Sequence, residues 1–447
     1  MIFAIIFVIL KSLLWFYAIP LFQTPDEPSH FGYVQFIAEN NRLLTPEDDK
    51  YSLEMVEGHK TLDIVRMLMH PQEKALYSEA RIREIRQKTA ELNDVKHRKD
   101  FSEPGMTANL YPPLYYGLAS IFYKMFYKSD LVIRAYAVRV FSVILSFITI
   151  IFVYKTATLL FDDNDLVVIP LTLAVALQPM YSMVSIAINV DNLLYLFFAV
   201  LFYLNVKTIK AGEISGRDNL IMAIVVGMSL ITKQYAIILL FMYMLNWLLV
   251  SKRRTIGHDF IKLLLFAIVS SSISLWWLLR NFGSQLTPFA SKLSLKEYFW
   301  QQGGKYLWVL GSYWGSFGWL DTPVDFEKYL PVFLILFFVM VFGSALYLVR
   351  EKDMVVKKMV FFMLAVFAFA SLFIMYIDYR VADSLHNFIQ GRYFLITLPV
   401  NTFLTAFGLW AFTGNKYREA TSYALFAFFT FFNLASIFTY IIPRYYA

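Results

Sequence analysis

Apolar runs close to 20 residues long recur along most of this chain, and about 20 residues is what an α-helix needs to cross a hydrocarbon core of about 30 Å. They are read at Ile2–Phe22, Leu131–Leu160, Leu166–Ile188, Val190–Val206, Leu220–Thr232, Tyr235–Val250, Phe260–Leu279, Tyr329–Val349, Met359–Tyr376, Tyr393–Phe412 and Ala420–Ile441. The piece Pro113–Tyr127 opens with Pro-Pro and is short for a crossing, so it reads as a re-entrant or half-membrane helix. The short alternating segments of a membrane β-barrel are absent. Only 16% of the 447 residues are charged, against about 25% in an ordinary globular domain, which excludes a soluble enzyme. The expected fold is an all-α, polytopic integral membrane protein embedded in the lipid bilayer, with roughly 11–13 membrane helices.

The run Ile2–Phe22 contains Lys11 and lacks a basic start and a small-residue cleavage site, so it reads as an uncleaved first span. One long polar segment follows, Gln23–Tyr111, with 12 of the 40 basic and 16 of the 33 acidic residues. The remainder carries 28 basic and 17 acidic residues. In a membrane protein such an excess reports orientation, and no nucleic-acid partner is expected. Lys207/Lys210/Arg217, Lys252/Arg253/Arg254/Lys262, Arg350/Lys352/Lys357/Lys358 and Lys416/Arg418 share one side if Pro113–Leu160 makes a net single crossing. That side is assigned to the cytoplasm, together with the N-terminus. The opposite face receives Gln23–Tyr111, the Asn189–Asn192 turn, Lys233, the Arg280–Lys328 connection and Asp378–Arg392. The acidic Asp162–Asp165 turn fits the cytoplasmic side poorly, but carboxylates carry little weight in this rule.

The chain has no cysteine and six scattered histidines, so chemistry falls to carboxylates, Arg, Lys and His. Directly after the first span stands Thr24-Pro25-Asp26-Glu27-Pro28-Ser29-His30-Phe31. Pro28 restrains Glu27 to an extended conformation, and the acidic pair is presented from a stiffened turn. Asp26 has a competing role as cap of a helix over Ser29–Leu44, but Ser29 already offers that cap, so a general base is the weightier reading. His30 has no second His or acid at ligand spacing beyond Asp26; no metal or other cofactor is expected, with a divalent ion at Asp26/Glu27 left open. Lys233 interrupts the apolar run Ile221–Leu249, Arg280 ends another, and Arg392 opens a span on the face where positive charge is disfavoured. Such ionisable groups inside or at the end of a span are functional candidates by default. Asp191 is equally a helix cap and a functional acid. Trp319 and Asp321, in a Gly-aromatic segment, suit a sugar, although aromatic residues collect at any membrane interface. Tyr111 and Tyr115, around Pro112-Pro113, read as a helix start with interfacial tyrosines. The charged stretch Glu54–Asp100 reads as solvated helix without chemistry.

The acidic pair after the first span, a loop of many tens of residues and then Tyr111-Pro112-Pro113-Leu114-Tyr115-Tyr116 resembles the C-type glycosyltransferase (GT-C) superfamily. The pattern is more closely similar to an uncharacterised bacterial family of polytopic membrane proteins related to those enzymes. Its features stand here as Pro25–Phe31, Tyr111–Tyr116, Gln178-Pro179 with Asn189-Val190-Asp191, Lys233-Gln234-Tyr235, Ser316–Asp321 and Gln390–Phe394, in order and over residues 1 to about 400.

The resemblance implies a GT-C-like catalytic module over residues 1–412, with extracytoplasmic loops at 23–111 and 280–328, and a C-terminal transmembrane helix over 413–447. It implies an inverting transferase in a bacterial inner membrane. Such an enzyme takes a sugar from a polyprenyl-phosphate donor to an extracytoplasmic acceptor: a glycan, a teichoic-type polymer or a lipid-linked molecule. In that frame Asp26 and Glu27 are the catalytic candidates. The substrate-binding set is Lys233, Arg280, Arg392, His30, Asp191, Trp319, Asp321, Tyr111 and Tyr115. Two rivals stand beside it: a polymerase or ligase using a pyrophosphate-linked glycan, and a lipid or glycan transporter, which would place its ionisable groups near the midplane.

Overall fold

Each apolar run forms a helix, because in hydrocarbon only the helix itself satisfies its backbone N–H and C=O groups. The computed structural model describes residues 2–45, 47–68, 70, 72–75, 78–251, 256–280, 293–381 and 389–446. Among them seven helices are long and apolar enough to cross a membrane: Leu131–Leu160, Asp191–Ala211, Gly257–Arg280, Phe326–Arg350, Met354–Arg380, Gly391–Thr413 and Asn415–Tyr445. The pair Asp165–Ala176 and Pro179–Ile186, bent by 63°, makes an eighth if taken as one span. Its bend falls at Gln178-Pro179, where proline has no N–H for the preceding turn. The other expected spans are also helical but shorter: Ile2–Ala18 has 17 residues and Gly216–Leu230 has 15. Gln234–Val250 is likewise an apolar helix below crossing length. Leu114–Met125, with 12 residues, is too short to cross, as its sequence indicates. The protein is a multi-span, all-α membrane protein.

The cation-rich loops are tied together at one end of the bundle. Lys210 Nζ lies 2.7 Å from Asp162 Oδ1, Asn164 donates to Glu419 at 3.3 Å, and Arg418 donates to the Tyr347 hydroxyl at 2.9 Å. Arg350 bonds the Ala411 carbonyl and Lys358 the Leu249 carbonyl. The acidic Asp162–Asp165 turn is thus joined to this end, with Lys210 pairing Asp162. Lys252–Arg254, residues 281–292 of the Arg280–Lys328 connection and residues 382–388 lie outside the described residues.

The segment Gln23–Tyr111 begins with a buried helix, Glu27–Asn40, and includes a small antiparallel ribbon of Lys50–Ser52 with Phe101–Pro104. The helix Glu79–Glu91 is solvated as expected, burying only Thr89. Glu54 and Arg98 depart from that expectation, because both are buried in a polar network. Gln35 donates to Glu54 at 2.7 Å, Ser52 to Gln35 at 2.7 Å, and Tyr123 and Tyr127 to Glu39 at 2.8 and 2.9 Å. Arg134 pairs with Glu54, and Arg98 lies 3.3 Å from Glu39. Buried charges persist only when paired, so this network clamps the polar segment onto the helices Leu114–Met125 and Leu131–Leu160.

Candidate active site

Asp26 adopts a left-handed backbone (φ 62°), a conformation Asp tolerates better than most residues. It occupies the N-cap position of Glu27–Asn40, yet its side chain makes no capping bond. Ser29 does not cap either; its hydroxyl accepts from Ala108 N at 2.8 Å. Glu27 opens the helix instead of standing extended, because proline is tolerated in a first turn whose N–H groups lack partners. Freed from capping, the Asp26 carboxylate accepts a hydrogen bond from Arg392 Nη2 at 2.6 Å. Arg392 is the second residue of the 3-10 turn Gly391–Thr397, which leads into the helix Leu398–Thr413.

A second ion pair stands nearby. Lys233 lies in extended backbone between Gly216–Leu230 and the turn Gln234–Ala236. The carbonyl of Ile231, left open at that break, accepts from Leu114 N at 3.1 Å, which ties the Pro112-Pro113 helix start to the Lys233 break. Lys233 Nζ reaches Asp191 Oδ1 at 2.5 Å. Asp191 is the first residue of its helix and not the N-cap, which is Val190. Three tyrosine rings surround the ammonium, with centroids at 5.5 Å for Tyr111, 5.2 Å for Tyr235 and 5.5 Å for Tyr393. Such faces attract a cation. Tyr393 also faces the Arg392 guanidinium at 5.5 Å, and Tyr111 also packs on the His30 ring at 5.6 Å. These shared rings join both ion pairs and His30 into one cluster.

The cluster is graded in exposure. Arg392, Lys233, Asp191 and His30 are buried, whereas the Asp26 side chain is 44% exposed. Asp26 is therefore the exposed charged member of the cluster, and the cations are buried. Partial desolvation pushes its carboxyl up, but Arg392, His30 and Lys233 together outweigh that and hold it below the usual carboxylate range. Burial pushes the His30 imidazole down to about 4, so it is neutral at pH 7. One of its ring nitrogens, Nδ1, lies 2.8 Å from the Tyr116 hydroxyl. Burial raises the Tyr111 phenol above its ordinary range, so it stays protonated. Among the described residues Arg392 Nε, buried beside these groups, has no hydrogen-bond partner. Also among the described residues, no group of three or more His, Asp or Glu side chains is gathered to hold a metal ion.

The structure thus brings Asp26, His30, Tyr111, Asp191, Lys233 and Arg392 together. The other candidates have different partners. Glu27 is fully buried; Arg139 Nε and Nη2 each approach one of its oxygens at 2.7 Å, and Thr24 and the Ile188 amide complete its shell. Arg139 also bonds the carbonyls of Ile19 and Pro20, the last turns before Asp26. Asp321 pairs with Arg444 at 2.8 Å, Trp319 Nε1 donates to the Phe22 carbonyl, and Tyr115 lies 2.9 Å from the Ser142 hydroxyl. Arg280 donates to the Leu44 carbonyl at 3.1 Å and stacks near Trp277. Sequence reasoning missed Arg139, although an Arg inside the apolar run Leu131–Leu160 was itself a signal. It also left Tyr235 and Tyr393 without a role.

A family model described as a predicted membrane protein (DUF2142) matches residues 9–400. No curated protein matches the chain. Among solved structures the chain is similar to ArnT from Cupriavidus metallidurans in the apo state, at 13% identity over 99% of this chain and 77% of that one, with a TM-score of 0.42. It is similar to the same protein bound to undecaprenyl phosphate, at 13% identity, the same coverage and a TM-score of 0.45. It is also similar to an Archaeoglobus fulgidus oligosaccharyltransferase tethered to an acceptor peptide, at 12% identity over 99% of this chain and 55% of that one, with a TM-score of 0.47.

Proposed function

We propose that this chain, which belongs to the family of predicted membrane proteins described as DUF2142, is an inverting glycosyltransferase. Its donor is a sugar carried on a polyprenyl phosphate, and its acceptor is a glycan, teichoic-type polymer or lipid on the outer side of a bacterial inner membrane. The observation that carries this reading is the graded cluster itself: one half-exposed carboxylate, Asp26, in contact with a buried guanidinium and followed by a caged ammonium.

Transfer from a phosphate carrier needs those two elements. The acceptor oxygen forms a bond to the anomeric carbon while its proton passes to Asp26, and the bond from that carbon to the phosphate oxygen breaks with its electron pair leaving on the phosphate. The leaving group needs neutralisation more than protonation, and Arg392 and Lys233 supply it from a water-poor setting where charge–charge attraction is strong. Tyr111, Tyr235 and Tyr393 hold the ammonium in place and present faces for a sugar. Glu27 acts through position: with Arg139 it fixes the turn that carries Asp26. Asp191 likewise sets Lys233. Neither a metal nor an organic cofactor takes part in this scheme. Arg280, Trp319, Asp321 and Tyr115 lie outside it.

The test uses the purified protein in liposomes loaded with a polyprenyl-phosphate sugar and a candidate acceptor glycan. Loss of lipid-linked sugar in step with the appearance of polyprenyl phosphate and glycosylated acceptor supports the proposal. Consumption of a pyrophosphate-linked glycan in its place points to the polymerase or ligase, and movement of intact lipid between leaflets points to a transporter.

A further inference from the structure

Asp26 holds only part of the Arg392 edge that an anion would use. Arg392 Nη2 donates to Asp26 at 2.6 Å and its Nη1 reaches the Pro25 carbonyl at 3.4 Å, while Nε has no partner among the described residues. A guanidinium recognises a phosphate through two neighbouring N–H groups, and the free Nε with Nη2 forms such an edge. The residue is buried, so a phosphate seated on that edge takes the Nη2 bond from Asp26.

We infer that Asp26 and the donor phosphate compete for Arg392, so that donor binding is the event that releases the general base. The inference rests on the function proposed above and adds an order to it: donor first, acceptor activation second. The two ion pairs differ in what separation costs. Asp191 and Lys233 are both about 5% exposed, and parting them would leave a buried charge unpaired. Asp26 is 44% exposed and turns from Arg392 toward water, where solvation replaces the lost bond. The exchange therefore occurs at Arg392. While the bridge stands, the carboxylate is engaged by the guanidinium; once phosphate has taken Arg392, the carboxylate's direct hydrogen-bond donor is gone and it is free to accept a proton. An empty site does not activate an acceptor.

The competition predicts a sign that a purely structural Asp26 would not give. Binding of farnesyl phosphate to the full-length protein in detergent is measured by calorimetry, with farnesol and inorganic phosphate as controls for tail and head group. Asp26→Asn keeps the left-handed backbone accessible and removes the competing charge, so it should tighten farnesyl phosphate binding about tenfold. Asp26→Gly, suited to φ 62°, should act in the same direction. In an Arg392→Gln background Asp26→Asn should give no tightening, since there is no guanidinium to free. Unchanged or weaker binding in both single variants, with wild-type protein binding farnesyl phosphate better than farnesol, overturns the competition and leaves the transferase reading standing. Equal binding of farnesyl phosphate and farnesol by wild type and every variant overturns the phosphate-carrier reading itself.

Discussion

Arg392 Nη2 and Asp26 Oδ2 meet at 2.6 Å although 366 residues separate them in sequence. The bond joins the polar segment after the first helix to the start of the Gly391–Thr413 span. It works because the two ends reach it differently. Asp26 hangs from a left-handed turn with no capping duty, and Arg392 is carried by a tight 3-10 turn under the cover of Tyr393. Each element would be an ordinary membrane-edge feature alone; together they place a half-exposed carboxylate against a buried guanidinium.

The pair Glu27 and Arg139 should prove structural. Both side chains are fully buried and doubly bonded, and removing one partner of such a pair typically costs about 3–5 kcal/mol. Glu27→Ala and Arg139→Ala should lower the melting temperature in detergent far more than Asp26→Asn does. Equal melting temperatures for all three would contradict the division of labour between the adjacent carboxylates.

Much of this was legible in the sequence, and the rest fails for identifiable reasons. The long spans were visible because hydropathy is local, and Lys233, Asp191 and Arg392 stood out as polar residues where apolar ones belong. Their pairing was not visible, since a contact between positions 26 and 392 leaves no local trace. The pairing of Asp321 with Arg444 is likewise invisible locally, since 123 residues separate the two. Glu54 and Arg98 read as solvated in the sequence because the charge density around them is typical of solvated helix. Burial by Gln35, Tyr123 and Arg134 is a tertiary property.

Acid should destabilise the protein in a defined window. The His30 pKa is about 4 in the fold and about 6.5 unfolded, so between those values the unfolded chain binds the extra proton. The stability contributed by neutral His30 is fully present above about pH 6.5 and is lost as pH falls toward 4, by up to about 3 kcal/mol. Asp26 is also depressed, and its share is lost below about pH 4. Melting temperatures from pH 8 to 4 should be flat and then fall, and His30→Gln should reduce the fall between 6.5 and 4. An unchanged slope in that variant would remove His30 as its source.

The caged ammonium should matter for the carrier lipid and not for the solvated helix. Lys233→Ala should abolish the thermal stabilisation that farnesyl phosphate gives the wild-type protein, whereas Arg83→Ala, on a side chain 73% exposed, should retain it. Equal losses would indicate general fragility.

The proposed mechanism needs the cluster on the outer face, and single cysteines in this Cys-free chain can locate it. The exposed positions Gln87 and Gln234 serve as probes for the cluster end and Asn415 and Lys352 for the cation-rich end. A membrane-impermeant thiol reagent should label the first two in intact cells and the second two only after permeabilisation. The reverse pattern would place the cluster in the cytoplasm.

The most direct measurement compares sugar transfer by wild-type protein and Asp26→Asn at saturating polyprenyl-phosphate sugar. The account predicts that the variant is folded, binds the carrier phosphate at least as tightly, and transfers about 10²–10⁴-fold more slowly, the usual cost of losing a general base. Transfer at the wild-type rate by Asp26→Asn would contradict it, because the exposed carboxylate of the cluster would then not be needed.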